Sequence, residues 1–274
     1  MTNTEIYSLS KRKVDVFILK DMGAITHHMY NKIYQLLSTT EQDKYHRFHF
    51  EKDKKLYLLS RYLQNKVLSL YTGQPIDTHS FTLNEYGKPE LTKFKNIKFN
   101  LSNSSNCAVL IVTYGDQVEC GIDVEGYVRK ESLFELADSY FSCLEVEFLK
   151  KFSRTSDINY HFFRLWTLKE SYIKAVGKGL SQSLASFSFL LGSEPIKIQH
   201  HVDELGSEND WIFHQIDLES HQFIATALKK SSAENMYLYR LNLAESQQDL
   251  VHNETLLKKI NISDKSFCKI NRLE

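Results

Sequence analysis

At 274 residues, with 42% hydrophobic and 25% charged side chains, the chain has the composition of a soluble globular protein and material for one large domain or two ordinary ones. Lysine plus arginine equals aspartate plus glutamate at 34 each, so no global field draws the chain to nucleic acid or to an anionic membrane. No apolar run reaches a membrane span, and Val14–Leu19 is too short, and interrupted by Asp15, to be a signal peptide or anchor. Cys107, Cys120, Cys143 and Cys268 form no CxxC pair, which argues against a zinc site or disulfide framework and fits a cytoplasmic protein.

In chain order, Val14–Leu19 reads as a first strand and His28–Leu37 as a helix, with Thr39-Thr40-Glu41-Gln42 opening another. Leu56, Leu59, Leu63 and Leu70 make Glu51–Tyr71 a long amphipathic helix, closed by Gly73 and Pro75. Lys44, Arg47, Lys55 and Arg61 belong to its basic surroundings and are candidates for binding the phosphates of a ligand. Phe81–Asn84 reads as a short strand, Glu85–Pro89 as a turn, and Ile97–Leu101 as a strand closing on Ser102-Asn103-Ser104-Ser105. The apolar run Cys107–Thr113 is a buried strand. After a turn at Gly115-Asp116, Val118–Glu125 alternates so that Asp123 and Glu125 share one strand face.

Helices are expected at Ser132–Phe141 and Leu144–Phe152, then in Phe162–Leu180, where Phe162, Leu165, Trp166, Ile173 and Val176 recur at helical spacing before Gly177 and Gly179. Trp166, Glu170 and Lys174 stand four apart on that helix and so line one side. Phe187–Leu191, Ile196–His200, Trp211–Asp217, Phe223–Leu228 and Tyr237–Leu243 read as strands. The polar tail reads as an appendage with one helix near Glu254–Ile260. The pattern divides into two α+β lobes, residues 1–116 and 117–243, with an extension over 244–274, and a ligand cleft between the lobes.

Clustering Asp123, Glu125 and Glu170 is unfavourable unless a cation lies between them. An all-oxygen ligand set suits magnesium or manganese, and magnesium completes its shell with substrate phosphate. Ser102–Ser105 at a strand end offers hydroxyls and N–H groups to oxyanions, and Gly87-Lys88-Pro89 presents one lysine from a stiff turn.

The succession NEYGKPEL, FNLSNSS, CGIDVEG and FRLWTLKESYIKAVGKGLS resembles the Sfp-type 4′-phosphopantetheinyl transferases over roughly residues 44–230. Trp166, Lys169, Glu170, Ser171, Lys174, Gly177, Gly179 and Leu180 match every fixed position of the last motif. The resemblance implies two similar lobes related by a pseudo-twofold, with the site between them. It implies transfer of phosphopantetheine from coenzyme A to a serine of an apo acyl or peptidyl carrier protein, releasing adenosine 3′,5′-bisphosphate.

In that scheme Asp123, Glu125 and Glu170 hold magnesium (manganese as an alternative), Glu170 assists deprotonation of the serine, and Lys174 neutralises the pyrophosphate. Gly87, Lys88 and Pro89 lie along the adenine and phosphate end, and Ser102 touches the 3′-phosphate region. A chain of this length holds its site within a monomer. Arg129, Lys130, Lys150 and Lys151 are candidates for meeting an acidic carrier.

One position departs from the resemblance: Asn103 stands where these enzymes carry a histidine that helps bind the 3′-phosphate. Asparagine donates a hydrogen bond but cannot become cationic. The alternatives are a catalytically weak, carrier-binding homologue and a metal-dependent nuclease or nucleotide phosphotransferase. Zero net charge counts against the last.

Overall fold

The computed structural model describes residues 13–20, 25–115, 119–127, 133–218, 222–229, 235–245, 250–261 and 267–270. The first lobe runs β1 (Lys13–Lys20), α1 (His27–Gln35), α2 (Thr39–His46), α3 (Glu51–Thr72), β2 (Phe81–Leu83), β3 (Pro89–Leu91), β4 (Ile97–Ser104), β5 (Cys107–Tyr114). The second repeats that order: β6 (Cys120–Gly126), α4 (Leu133–Tyr140), α5 (Cys143–Leu149), α6 (Thr155–Val176), β7 (Phe187–Leu190), β8 (Lys197–His200), β9 (Trp211–Leu218), β10 (Gln222–Lys229). In each lobe the first strand pairs antiparallel with the last, the last pairs antiparallel with the one before it, and two short strands form a separate hairpin.

The repeat reaches individual side chains. Ser38 and Glu41 close a capping box on α2, and Ser142 and Glu145 close the same box on α5, satisfying backbone N–H groups that a helix start leaves unpaired. Each capping serine also reaches the segment around the following hairpin, Ser38 Oγ to Thr78 Oγ1 at 2.5 Å and Ser142 Oγ to Ser188 Oγ at 2.6 Å. α3 and α6 are both 22 residues long and both stop at a left-handed glycine, Gly73 (φ 67°) and Gly177 (φ 77°), where a Cβ would be strained. One constant spacing carries Ser38, Glu41, α3 and Gly73 onto Ser142, Glu145, α6 and Gly177.

The layers are helix, sheet, sheet, helix, with three apolar cores. Phe17, Leu19, Leu63 and Leu110 pack between the first sheet and α3, and Phe162, Leu168, Tyr172 and Phe213 between the second sheet and α6. Val16, Ile18, Val109, Ile122, Val124 and Ile224 pack between the two sheets. Strands in the middle are therefore buried on both faces, which explains near-continuous apolar runs such as that of β5. Each such buried side chain contributes about 1.5–3 kcal/mol relative to exposure.

The C-terminal segment differs from expectation. β11 (Asn235–Glu245) leaves the second lobe and lies parallel to β1 in the first sheet, whose order is β12-β11-β1-β5-β4. The expected helix near Glu254–Ile260 is instead part of strand β12 (Leu250–Asn261), antiparallel to β11. β11 offers an unpaired edge, and pairing with it overrides the local helical pattern. β13 (Phe267–Ile270) adds to the second sheet beside β9, so the tail completes both sheets. No helix among the described residues is long and apolar enough to cross a membrane.

The strand pairings align the two lobes residue by residue. Val14 faces Thr113 as Cys120 faces Leu228, and Ile97 faces Tyr114 as Trp211 faces Lys229. Asp15, Phe17 and Leu19 thus occupy the places of Gly121, Asp123 and Glu125. In the first lobe, Tyr71 at the end of α3 donates a short hydrogen bond to buried Asp15, and the pair separates helix from strand. In the second, glycine and Ala175 stand there and α6 moves in. A Cβ on Gly121 would lie 2.0 Å from the Ser171 carbonyl oxygen and 2.4 Å from the Ala175 nitrogen. Gly121→Ala is expected to destabilise the protein by ~2 kcal/mol or more, read by urea unfolding. An unchanged midpoint would contradict the close approach.

Candidate active site

The two lobes meet where β4 lies along β6. Asn100, Ser102 and Ser104 alternate on β4 and all turn to β6. Asn100 Oδ1 accepts from the Ile122 N–H at 2.9 Å, Ser102 Oγ donates to Asp123 Oδ1 at 2.8 Å, and Ser104 Oγ donates to Glu125 Oε2 at 3.0 Å. From the other side, Lys174 on the last turn of α6 places Nζ 2.6 Å from Asp123 Oδ1 and 2.8 Å from Ser102 Oγ. Asp123 is therefore held by a hydroxyl of one lobe and an ammonium of the other.

Asp123, Glu125 and Glu170 stand near enough for their charges to act on one another. Burial first, and then the charge of Asp123, push the Glu125 carboxyl up to about 7. The same two causes, in the same order, raise Glu170, and Lys174 opposes both rises. Among the described residues no three carboxylates, imidazoles or thiols already stand as a metal-binding group. The side chains show why: Lys174 occupies one oxygen of Asp123, and Glu125 is turned to Ser104. Asp123 Oδ2 nevertheless is buried with no hydrogen-bond partner. A shielded oxygen without a donor, beside two acids whose charge is penalised, fits a small hard cation.

The remaining candidates divide. Asn103 is exposed, on the face of β4 opposite Ser102. Lys44 and Arg61 converge on the Tyr57 ring, at 5.7 and 5.9 Å from its centroid. Lys55 lies over Tyr30 instead, 5.2 Å from that centroid, and Arg47 is exposed at the end of α2. Lys88, expected along the phosphate end, stands against the end of α6. Its ammonium is drawn to the Ala175 carbonyl at 2.9 Å and to Glu119 Oε2 at 3.1 Å, because helix C-terminal carbonyls carry negative partial charge. Asn84 Nδ2 donates to the Gly177 carbonyl at 3.0 Å, so the Gly87–Pro89 turn is pinned against the end of α6. Lys150 and Lys151 are exposed, whereas Arg129 and Lys130 lie outside the described residues.

Sequence alone missed Asn100, the aim of Ser104 at Glu125, and Gly121. Period-two alternation along β4 was the available signal for the first two. These features define a two-lobed α+β enzyme with an acidic site at the seam.

Comparison with known proteins names the family. Residues 119–231 match the model of the 4′-phosphopantetheinyl transferase superfamily, and residues 24–114 match that of the 4′-phosphopantetheinyl transferase N-terminal region. The 4′-phosphopantetheinyl transferase gsp of Aneurinibacillus migulanus is 32% identical over 174 residues, 64% of this chain and 70% of that one. HetI of Nostoc sp., also named a 4′-phosphopantetheinyl transferase, is 34% identical over 167 residues, 60% of this chain and 69% of its own. The L-aminoadipate-semialdehyde dehydrogenase-phosphopantetheinyl transferase of Homo sapiens is 27% identical over 206 residues, 69% of this chain and 66% of that one. The chain belongs to the 4′-phosphopantetheinyl transferase superfamily, and phosphopantetheine transfer is its chemistry.

In metal-free protein, carbon NMR of the Glu125 carboxyl is expected to show a midpoint near pH 7, and Asp123→Asn to lower it by removing a neighbouring negative charge. Because the folded value lies above the ordinary 4.5, the stabilisation from this group is present at low pH and lost as pH rises through 7. A midpoint at the ordinary value would contradict the site's electrostatics.

Proposed function

We propose that this enzyme transfers 4′-phosphopantetheine from coenzyme A to a serine of an apo acyl or peptidyl carrier protein, releasing adenosine 3′,5′-bisphosphate. The observation that carries the reading is the buried, donorless Asp123 Oδ2, on a carboxylate whose other oxygen meets Lys174 and whose charge is felt by Glu125 and Glu170. Asp123, Glu125 and Glu170 would hold magnesium, or manganese in its place, which supplies positive charge against a diphosphate.

The serine oxygen attacks the phosphorus that bears the pantetheine arm, and the bond from that phosphorus to the bridging oxygen of the diphosphate breaks. A hydroxyl is a poor nucleophile at neutral pH, so its proton must leave. Glu170, with its raised affinity for protons, accepts it directly or through a water. Lys174 exchanges its contact with Asp123 for the negative charge that builds on the departing phosphate. Lys44, Arg47, Lys55 and Arg61 supply cations on the first lobe for the nucleotide phosphates, and the Gly87–Pro89 backbone lies along the adenine. The reading includes a cytoplasmic monomer that acts on neither nucleic acid nor membrane. Free Cys107, Cys120 and Cys143 are compatible with that compartment.

Incubation with coenzyme A, magnesium and a panel of apo carrier proteins is expected to add a phosphopantetheine-sized mass to at least one of them. Asp123→Asn and Glu170→Gln should each lower the rate by about 100-fold or more, the scale of losing a positioned charge or base. Transfer that persists undiminished in chelator would remove the metal from the reading.

Asn103 leads to a separate expectation. Asn103→His should raise the preference for coenzyme A over its dephospho form. An unchanged ratio would remove the 3′-phosphate from the role of this position.

A further inference from the structure

We infer that the buried ion pair Lys169–Glu145 is a positioning device that sets the rotation of α6 about its own axis, and with it the aim of Glu170 and Lys174. This rests on the reading of Glu170 and Lys174 as the transfer site. Lys169 is fully buried, and its ammonium has three partners at 2.7 Å: Glu145 Oε2, the Leu184 carbonyl and the Phe187 carbonyl. An ammonium has three protons, so all three are used. The rings of Phe187 and Phe141 stand 4.3 and 5.5 Å from the same nitrogen.

Glu145 is equally committed. Its Oε2 accepts from the Ser142 N–H and Oγ as well as from Lys169, and its Oε1 accepts from the Phe189 N–H at 2.9 Å. One carboxylate thus joins α5, β7 and α6. Lys169 and Glu170 are consecutive, so their side chains leave the helix about 100° apart. A lysine fixed by three directional contacts on one side dictates where the next residue, and Lys174 one turn on, point on the other.

The internal repeat supplies a control. The first lobe builds the same capping box and the same long helix, yet the place of Lys169 is taken by Asn65. Glu41, in the place of Glu145, forms no ion pair among the described residues; Arg61 is only near enough for its charge to be felt. The repeat therefore does not need this pair in order to fold. The places of Glu170 and Lys174 hold Lys66 and Leu70 in that lobe, so the pair occurs where there are acid and base groups to aim.

The test uses the whole chain and the variant Glu145→Gln/Lys169→Met, which removes both charges together; such replacements of buried pairs often leave stability unchanged. Glu145→Asp, which keeps the charges and shortens one arm, is the second variant should the first not fold. Each is assayed with coenzyme A, magnesium and a purified apo peptidyl carrier protein, alongside thermal unfolding. The expected result is a folded variant with kcat lowered by about 100-fold and both KM values within about threefold of the parent, the scale of a small misplacement of reacting groups. Unchanged kcat in a folded variant, or a loss confined to KM, would overturn the inference. Manganese binding followed by electron paramagnetic resonance needs no transfer. A silent parent in the transfer assay sinks the functional reading alone. Manganese affinity in the variant equal to the parent's then sinks the positioning role, and affinity weakened at least tenfold supports it.

Discussion

The structure depends on how one carboxylate is taken out of water. Asp123 sits at the line where two sheets abut, and neither lobe could stabilise it alone. Ser102 comes from the first lobe and Lys174 from the second, both reaching the same oxygen. The remaining oxygen is buried and unmatched, as is Asp15 Oδ1 beside Lys13 in the first lobe; what sets this site apart is that Glu125 and Glu170 stand beside it. Burial that leaves a polar atom unmet is destabilising, and a cation beside these acids would relieve it. Glu125 and Glu170 share the consequence, since each is harder to ionise because it is buried and, after that, because Asp123 is beside it.

The repeated architecture shows how such a site can be built by substitution within a constant frame. Both lobes use the same strand, capping box, long helix and paired strands, and both end the helix on a left-handed glycine. In the first, Phe17 and Leu19 fill the places of Asp123 and Glu125, and Asp15 with Tyr71 props the helix away from the strand. Burial outweighs the nearby Lys13 ammonium and pushes the Asp15 carboxyl up to about 6. In the second, Gly121 and Ala175 let the helix settle onto the strand. That approach brings residues four apart on α6 within reach of the acids on β6. One lobe is consequently apolar where the other is chemical.

Most elements could be read from local pattern because burial imposes a period on each. The alternation of Ile122 and Val124 with Asp123 and Glu125 placed the acids on one strand face, and the sheet-to-sheet core is why the apolar pair must face the other way. The spacing of Trp166, Glu170 and Lys174 held for the same kind of reason. Lys169 read as one fixed position of a motif; its partner Glu145, on another helix, gives it a structural place. Lys88 read as a lysine presented from a stiff turn, and only the fold shows that the turn is set against a helix terminus distant in sequence. The segment around Glu254–Ile260 read as helix and is strand, because the edge it pairs with is created by β11 crossing into the other sheet.

Sequence by itself determined the lobe pattern around the seam, the two acids of β6, the acid and lysine of α6 and the family, because these rest on short-range spacing that the backbone periods enforce. Tertiary structure alone decided that β4 supplies hydroxyls to those acids, that Lys174 meets Asp123, and that the C-terminal strands complete both sheets. Each of these joins residues far apart in the chain, and such contacts are selected by packing and desolvation of the whole molecule, which no local pattern encodes.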